Sequence, residues 1–199
     1  MIDCGSTTFS QLAQLELIER IDYILITHLH FDHIGSLPTL LAYRKYKTDK
    51  DIPKILLPKQ ELGEQLTKLL SCSLEESLAD FGTISDIPGI DFIETTNQHK
   101  PGMISFAYHF IEDDHLIYYS GDIGNADVAI DFLSGREESK IQVFHETSHL
   151  SDVEVHASYK EVEEKLGHYN LYVYHIAKEH MPADCTLQYV EDYPEFLFS

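Results

Sequence analysis

An α/β domain whose strand ends carry ligands for metal ions is the fold class this sequence predicts, and three observations predict it. Short apolar runs alternate with amphipathic stretches, several of those runs stop at a histidine or an aspartate, and residues 27–35 read Thr-His-Leu-His-Phe-Asp-His-Ile-Gly. Alternation of this kind is the pattern of strands joined by helices that pack back on them. In the segment 27–35, His28 and His30 stand two apart on an expected strand end and so project the same way, while Asp32 and His33 follow where the chain must turn towards a helix. Imidazole suits zinc and similar transition metals, and a carboxylate can complete such a site without closing it. The spacing therefore fits a pair of metals.

Taken in order, residues 1–5 read as the tail of a strand followed by a glycine turn. Ser10 is the expected N-cap of a helix carrying Leu12, Leu15 and Ile18, and the isoleucine-rich run 21–27 is a buried strand that delivers His28 and His30. Beyond Gly35, Pro38 belongs in the first turn of a helix, 54–57 is a strand closed by Pro58, and 60–79, with leucines at 62, 66, 69, 70, 74 and 78, is one or two amphipathic helices. Strands are expected at 91–95, 103–111 and 115–119, the last two joined through Glu112-Asp113-Asp114. A helix at 125–133, a strand at 141–144 ending at His145, a helix at 158–166 stopped by Gly167 and a strand at 171–174 ending at His175 complete the pattern. No repeat, low-complexity tract or Pro/Gly/Ser-rich linker interrupts it, so residues 1–199 read as a single domain.

Composition narrows the function. Fourteen basic against thirty-four acidic residues give a formal net charge of −20, which repels a polyanion and disfavours long nucleic acid as a partner. A ligand with one or two phosphates stays compatible, because bound divalent cations reverse the field inside a pocket. With no long apolar run and no leader-like start, no membrane association is expected and the localisation reads as cytoplasmic. Cys4, Cys72 and Cys185, odd in number and far apart, fit free thiols in that reducing compartment.

A two-metal site needs ligands beyond the segment 27–35, each aimed from the end of a separate strand. His99, in Asn-Gln-His-Lys-Pro-Gly, Asp122, in Tyr-Ser-Gly-Asp-Ile-Gly, and His175 satisfy that condition. The ordered series His-Leu-His-Phe-Asp-His, His99, Ser-Gly-Asp122 and His175 resembles the motifs of the metallo-β-lactamase superfamily. Tyr-Ser-Gly-Asp, Phe-His-Glu-Thr-Ser at 144–148 and His-Ala-Ser at 156–158 are similar to its ribonuclease Z branch of phosphodiesterases. The resemblance implies an αββα sandwich with one metal on His28, His30 and His99, a second on Asp32, His33 and His175, and Asp122 bridging both. It further implies a bridging hydroxide as nucleophile, a catalytic set of Asp32, Glu146 and His156 in which the last two protonate the leaving alkoxide, and two divalent cations, Zn2+ first and Mn2+ as the alternative. His145 is kept out of the metal set. His149 and His180 read as partly exposed polar residues, and His109, His115 and His168 as structural. Ser120, Gly121 and Gly124 flank Asp122 and let the backbone approach a ligand closely, and the hydroxyls of Thr147 and Ser148 are weaker candidates.

Two departures from the family pattern carry expectations. Met1 stands where a later stretch of the family pattern begins, so the fold reads as lacking its first strands, and an uncovered sheet edge invites association. Only a hairpin fits between His99 and Asp122, where ribonuclease Z carries its long basic arm for transfer RNA. The resulting expectation is a metal-dependent phosphodiesterase acting on a small phosphodiester, a cyclic nucleotide above all, in a homodimer like the compact, phage-encoded relatives. The alternatives are a ribonuclease Z-type endonuclease trimming transfer RNA through a groove of Arg44, Lys45, Lys47, Lys50, Lys54 and Lys59, and an inactive binding protein of the same fold.

Overall fold

The computed structural model describes residues 1–72, 74, 78–150, 154–176 and 178–193. The chain divides into two compact units, Met1–Pro88 and Gly89–Ser199.

The first unit is built on three short parallel strands, β1 (Tyr23–Leu25), β2 (Lys54–Leu57) and β3 (Asp80–Thr83), in the order β1-β2-β3. Ile24 pairs with Ile55 and Leu25 with Leu56, all four buried, as expected of parallel strands covered by their own crossover helices. Helices α1 (Thr8–Gln14), α2 (Phe31–Ile34), α3 (Leu37–Lys47) and α4 (Gln60–Leu70) complete it. Leu37, Leu40 and Leu41 on α3, and Leu62, Leu66 and Leu70 on α4, form the buried stripes at helical spacing.

Local details depart from the sequence reading. Thr7, not Ser10, occupies the N-cap of α1, and Ser10 lies inside the helix. Helix α4 stops at Leu70, with Ser71 at its C-cap, and positions 73 and 75–77 of the predicted 60–79 span lie outside the described residues. Strand β3 had no sequence signal, because Asp-Phe-Gly-Thr offers a single large apolar residue and a glycine. Arg44 overturns its assignment to a basic groove. It is 1% exposed, and its guanidinium donates to the carbonyls of Ile18 (2.9 Å), Ile21 (2.6 Å) and Asp51, so it ties three segments together from within.

The second unit holds a six-stranded sheet in sequence order: β4 (Ile90–Glu94), β5 (Phe106–Glu112), β6 (His115–Tyr119), β7 (Ile141–Glu146), β8 (Asn170–Tyr174) and β9 (Gln188–Tyr189). Pairs β4-β5 and β5-β6 are antiparallel; β6-β7, β7-β8 and β8-β9 are parallel. Asp113 and Asp114 both adopt left-handed φ, the requirement of a two-residue hairpin whose twist matches its strands. The pairs β6-β7 and β7-β8 are joined through α5 (Asp127–Leu133) and α6 (Tyr159–Leu166), whose Ala129, Leu133, Val162 and Leu166 pack on Tyr118, Val143 and Val173. Ser158 caps α6 by accepting from the Glu161 N–H (3.3 Å). Strand β7 runs two residues past the predicted 141–144, so His145 lies within it and is fully buried. Among the described residues no helix is long and apolar enough to cross a membrane.

Two predictions follow from these cores. Arg44→Leu strands buried carbonyls and should lower stability by about 3 kcal/mol, read by urea unfolding, while an unchanged midpoint would refute the tie. Burial lowers the imidazole pKa of His145, and likewise that of His109, below the ordinary value of 6.5. The unfolded chain then binds more protons, so stability is full above about pH 6.5 and falls as pH drops through the folded values. In metal-free protein the unfolding temperature should decline below that pH, and His145→Met should make the decline shallower; an equal slope in the variant contradicts this.

Candidate metal centre

In the first unit β1 aims the segment at its end. His30 is still extended (φ −67°, ψ 150°) and α2 begins at the next residue, so His28 and His30 alternate off an extended backbone before Asp32 and His33 enter a helical turn. The ring centroids of His28 lie 4.7 Å from His30 and 4.1 Å from His33, and His33 Nε2 lies 3.8 Å from Asp32 Oδ2. A residue the sequence reading passed over holds this group. The buried Asp3 carboxylate accepts from the Thr27 N–H (2.8 Å), the Thr27 hydroxyl (2.7 Å) and His33 Nδ1 (2.6 Å). With its proton given to Asp3, the Thr27 hydroxyl accepts from His28 Nδ1 (3.0 Å). Both imidazoles therefore carry their proton on Nδ1 and their lone pair on Nε2, the tautomer a metal needs. Asp3 reaches this position through a left-handed backbone (φ 56°), and Gly5 leaves no room for a side chain, since a Cβ there would sit 2.0 Å from the Asp32 carbonyl oxygen. Cys4 is no ligand: burial pushes its thiol up to about 11.

In the second unit β4, β6, β7 and β8 run the same way, so their C-terminal ends share one edge of the sheet. His99, Asp122, Glu146 and His175 all lie at that edge. Asp122 Oδ2 is 3.3 Å from His175 Nε2 and 3.9 Å from His99 Nε2, so one carboxylate oxygen is shared between two imidazoles. His99 Nδ1 donates to the Val155 carbonyl (2.6 Å), which again turns Nε2 towards the carboxylate. Glu146, fully buried, accepts from the Ile123 N–H at Oε1 (2.5 Å) and from His156 Nδ1 at Oε2 (2.8 Å), and His175 Nδ1 lies 3.3 Å from Oε2. Ligating atoms of His99, Glu146 and His156 fall within 4.8 Å of one another.

The turn before Asp122 is pinned. Gly121 is left-handed (φ 62°), and its carbonyl accepts from the Ser120 hydroxyl (2.6 Å) and the Tyr174 hydroxyl (3.0 Å). The Glu146 N–H donates to Ser120 Oγ (3.0 Å). Burial holds the Tyr174 phenol well above its ordinary value, so it stays a donor. Gly124 is required by contact, since a Cβ would lie 2.2 Å from the Glu154 carbonyl oxygen. Thr147 donates to the Ala157 carbonyl (3.2 Å) and Ser148 Oγ accepts from the Leu150 N–H (3.1 Å), so both hydroxyls serve the loop.

The remaining histidines lie elsewhere. His145 donates to the Glu146 carbonyl (2.7 Å) from inside β7. His149 and His180 are exposed, with ring centroids 5.6 Å apart. His109 packs on Phe132, His115 borders the hairpin turn, and His168 packs on Tyr169. A cavity of about 340 Å³ bordered by Tyr174, His175, Tyr189 and Glu191 opens beside His175.

The sequence and the fold have known counterparts. The sequence profile of the anti-Pycsar protein Apyc1 family matches residues 1–188. Anti-Pycsar protein Apyc1 of Paenibacillus sp. (strain J14) is 26% identical over 178 residues, covering 81% of this chain and 70% of that protein. Ribonuclease Z of Listeria monocytogenes serotype 4a (strain HCC23) is 30% identical over 122 residues, covering 57% of this chain and only 39% of that protein. The metallo-β-lactamase fold protein YhfI from Bacillus subtilis superposes with a TM-score of 0.65 at 19% identity, over 89% of this chain and 75% of that one. The chain thus belongs to the anti-Pycsar protein Apyc1 family, hydrolases of the metallo-β-lactamase fold in its ribonuclease Z-like branch.

Proposed function

We propose that this chain is a metal-dependent phosphodiesterase that hydrolyses a cyclic nucleotide. His28, His30 and His99 would hold one divalent cation, Asp32, His33 and His175 a second, and Asp122 would bridge them, the two units acting as one domain. The observation that carries this reading is the single Asp122 oxygen shared by His99 and His175. The donor set fits the cations: imidazoles with Nδ1 committed to Asp3, Thr27 or Val155 present Nε2. Zinc is the proposed metal, manganese the alternative, and a homodimer in the cytoplasm the proposed setting.

When bound, two divalent cations lower the pKa of a water between them and neutralise the attacking and leaving oxygens of an in-line displacement at phosphorus. The chain's own residues do the rest. Glu146 is fully buried and its oxygens face Ile123 N–H, His156 and His175, so its work is to orient those two rings. His156, partly exposed at its side chain, is the group placed to hand a proton to the leaving alkoxide from Nε2. The cavity beside His175 offers room for the rest of a small nucleotide. Transfer RNA is the poorer substrate: the net charge is −20, and Arg44 is spent on backbone carbonyls.

Protein purified without added metal, assayed for metal content and then on cyclic mononucleotides, cyclic dinucleotides and precursor transfer RNA, should contain two metals per chain and cleave the cyclic nucleotides, with activity lost to a chelator. Metal bound but no cyclic nucleotide cleaved would refute the substrate, and no metal bound would favour an inactive binding protein. His156→Ala should lower kcat by about 100-fold or more with metal content unchanged; equal loss of metal would instead make it a ligand. Asp3→Ala frees His33 to rotate and should weaken metal binding roughly 10- to 100-fold, measured by chelator competition. Unchanged affinity would remove Asp3 from the account.

A further inference from the structure

We infer that Tyr174 is a positioning residue that sets the affinity of the second metal position, the one assigned to Asp32, His33 and His175, by fixing Asp122 and His175 to each other; this rests on the two-metal reading above. Tyr174 is the last residue of β8 and directly precedes His175. Its hydroxyl reaches across to the end of β6, 3.0 Å from the Gly121 carbonyl oxygen and 3.0 Å from Ser120 Oγ, and its ring stacks on Tyr119 with centroids 4.7 Å apart and planes 12° apart. One side chain thus clamps the turn that carries Asp122 to the strand end that carries His175.

That clamp holds two unusual backbone states. Gly121 (φ 62°) stands just before Asp122, and His175 itself is left-handed (φ 70°), a state a side chain occupies only when its surroundings hold it there. The 3.3 Å between Asp122 Oδ2 and His175 Nε2 depends on both turns keeping that geometry, and coordination tolerates errors of only about 0.2 Å. Without the phenol the Gly121 carbonyl keeps the Ser120 hydroxyl, and the link from the turn to His175 falls to Glu146, which accepts from the Ile123 N–H and lies 3.3 Å from His175 Nδ1. The first metal position shares only Asp122 with this clamp, and its imidazoles have acceptors of their own, the Val155 carbonyl behind His99 and the Thr27 hydroxyl behind His28, so the change falls mainly on the second position.

The test titrates Zn2+ into metal-free wild type, Tyr174→Phe and Ser120→Ala by calorimetry against a competing chelator. Wild type should bind in two steps. Tyr174→Phe should keep the first within twofold and weaken the second roughly 10-fold or more, with kcat on a cyclic nucleotide reduced at low metal and recovered at high metal while KM stays within twofold. Ser120→Ala removes the same node from the other side, should weaken the same step, and carries the test if Tyr174→Phe fails to fold. Two unchanged steps, or both weakened alike alongside a fallen unfolding temperature, would overturn the inference and make Tyr174 structural. Fewer than two steps in wild type would overturn the two-metal reading, and this inference with it.

Discussion

The parallel run of β6, β7 and β8 is the constraint on which the second unit depends. Its register sets Tyr119 beside Phe144 and Glu146 beside Tyr174, so three strands finish within a residue or two of one another. Whatever follows each end is delivered to the same edge: Ser120-Gly121-Asp122 after β6, Glu146 at the end of β7, His175 after β8. Parallel strands cannot be joined by tight turns, so α5 and α6 must cross back, and their buried leucines, valine and alanine hold the strands in that register. A slip of one residue in β7 would turn Glu146 to the other face and separate it from His156.

Polar side chains at such an edge are floppy unless something else fixes them, and both units supply that with short hydrogen bonds to Nδ1. Asp3 orients His33, Thr27 orients His28, the Val155 carbonyl orients His99, and Glu146 orients His156. The shared logic is one acceptor per ring, placed behind it, so that Nε2 faces forward. A chain with a net charge of −20 that gathers carboxylates with imidazoles gains from cations there, since they relieve the crowding of like charge that the acidic residues create.

Much of this was legible in the sequence because it is local. His28, His30, Asp32 and His33 announce themselves by spacing, and the runs before Asp122 and His175 read as strands from their apolar content. The hairpin at Asp113-Asp114 and the cap at Ser158 follow from residue type alone. What was illegible is what depends on distance along the chain. Asp3 lies thirty positions before the His33 it orients, and nothing in its neighbours marks it as more than a turn residue. Tyr174 read as an ordinary strand tyrosine, because its partners Ser120 and Gly121 come from another strand. Arg44 sat among lysines and looked solvated, yet the carbonyls left open near Ile18, Ile21 and Asp51 draw it inside. Gly5 read as a turn and Gly124 as a place where backbone comes close to a ligand, but the Asp32 and Glu154 carbonyls that press against them come from elsewhere in the chain and were not legible.

The most direct test of the proposed centre is a crystal structure of the zinc-loaded protein with anomalous scattering recorded at the zinc edge. The account predicts two peaks per chain about 3.5–4 Å apart, with Asp122 between them and every coordinating histidine bound through Nε2. A single peak, or coordination through Nδ1 of His28, His33 or His99, would contradict it, because those nitrogens are committed to Thr27, Asp3 and Val155.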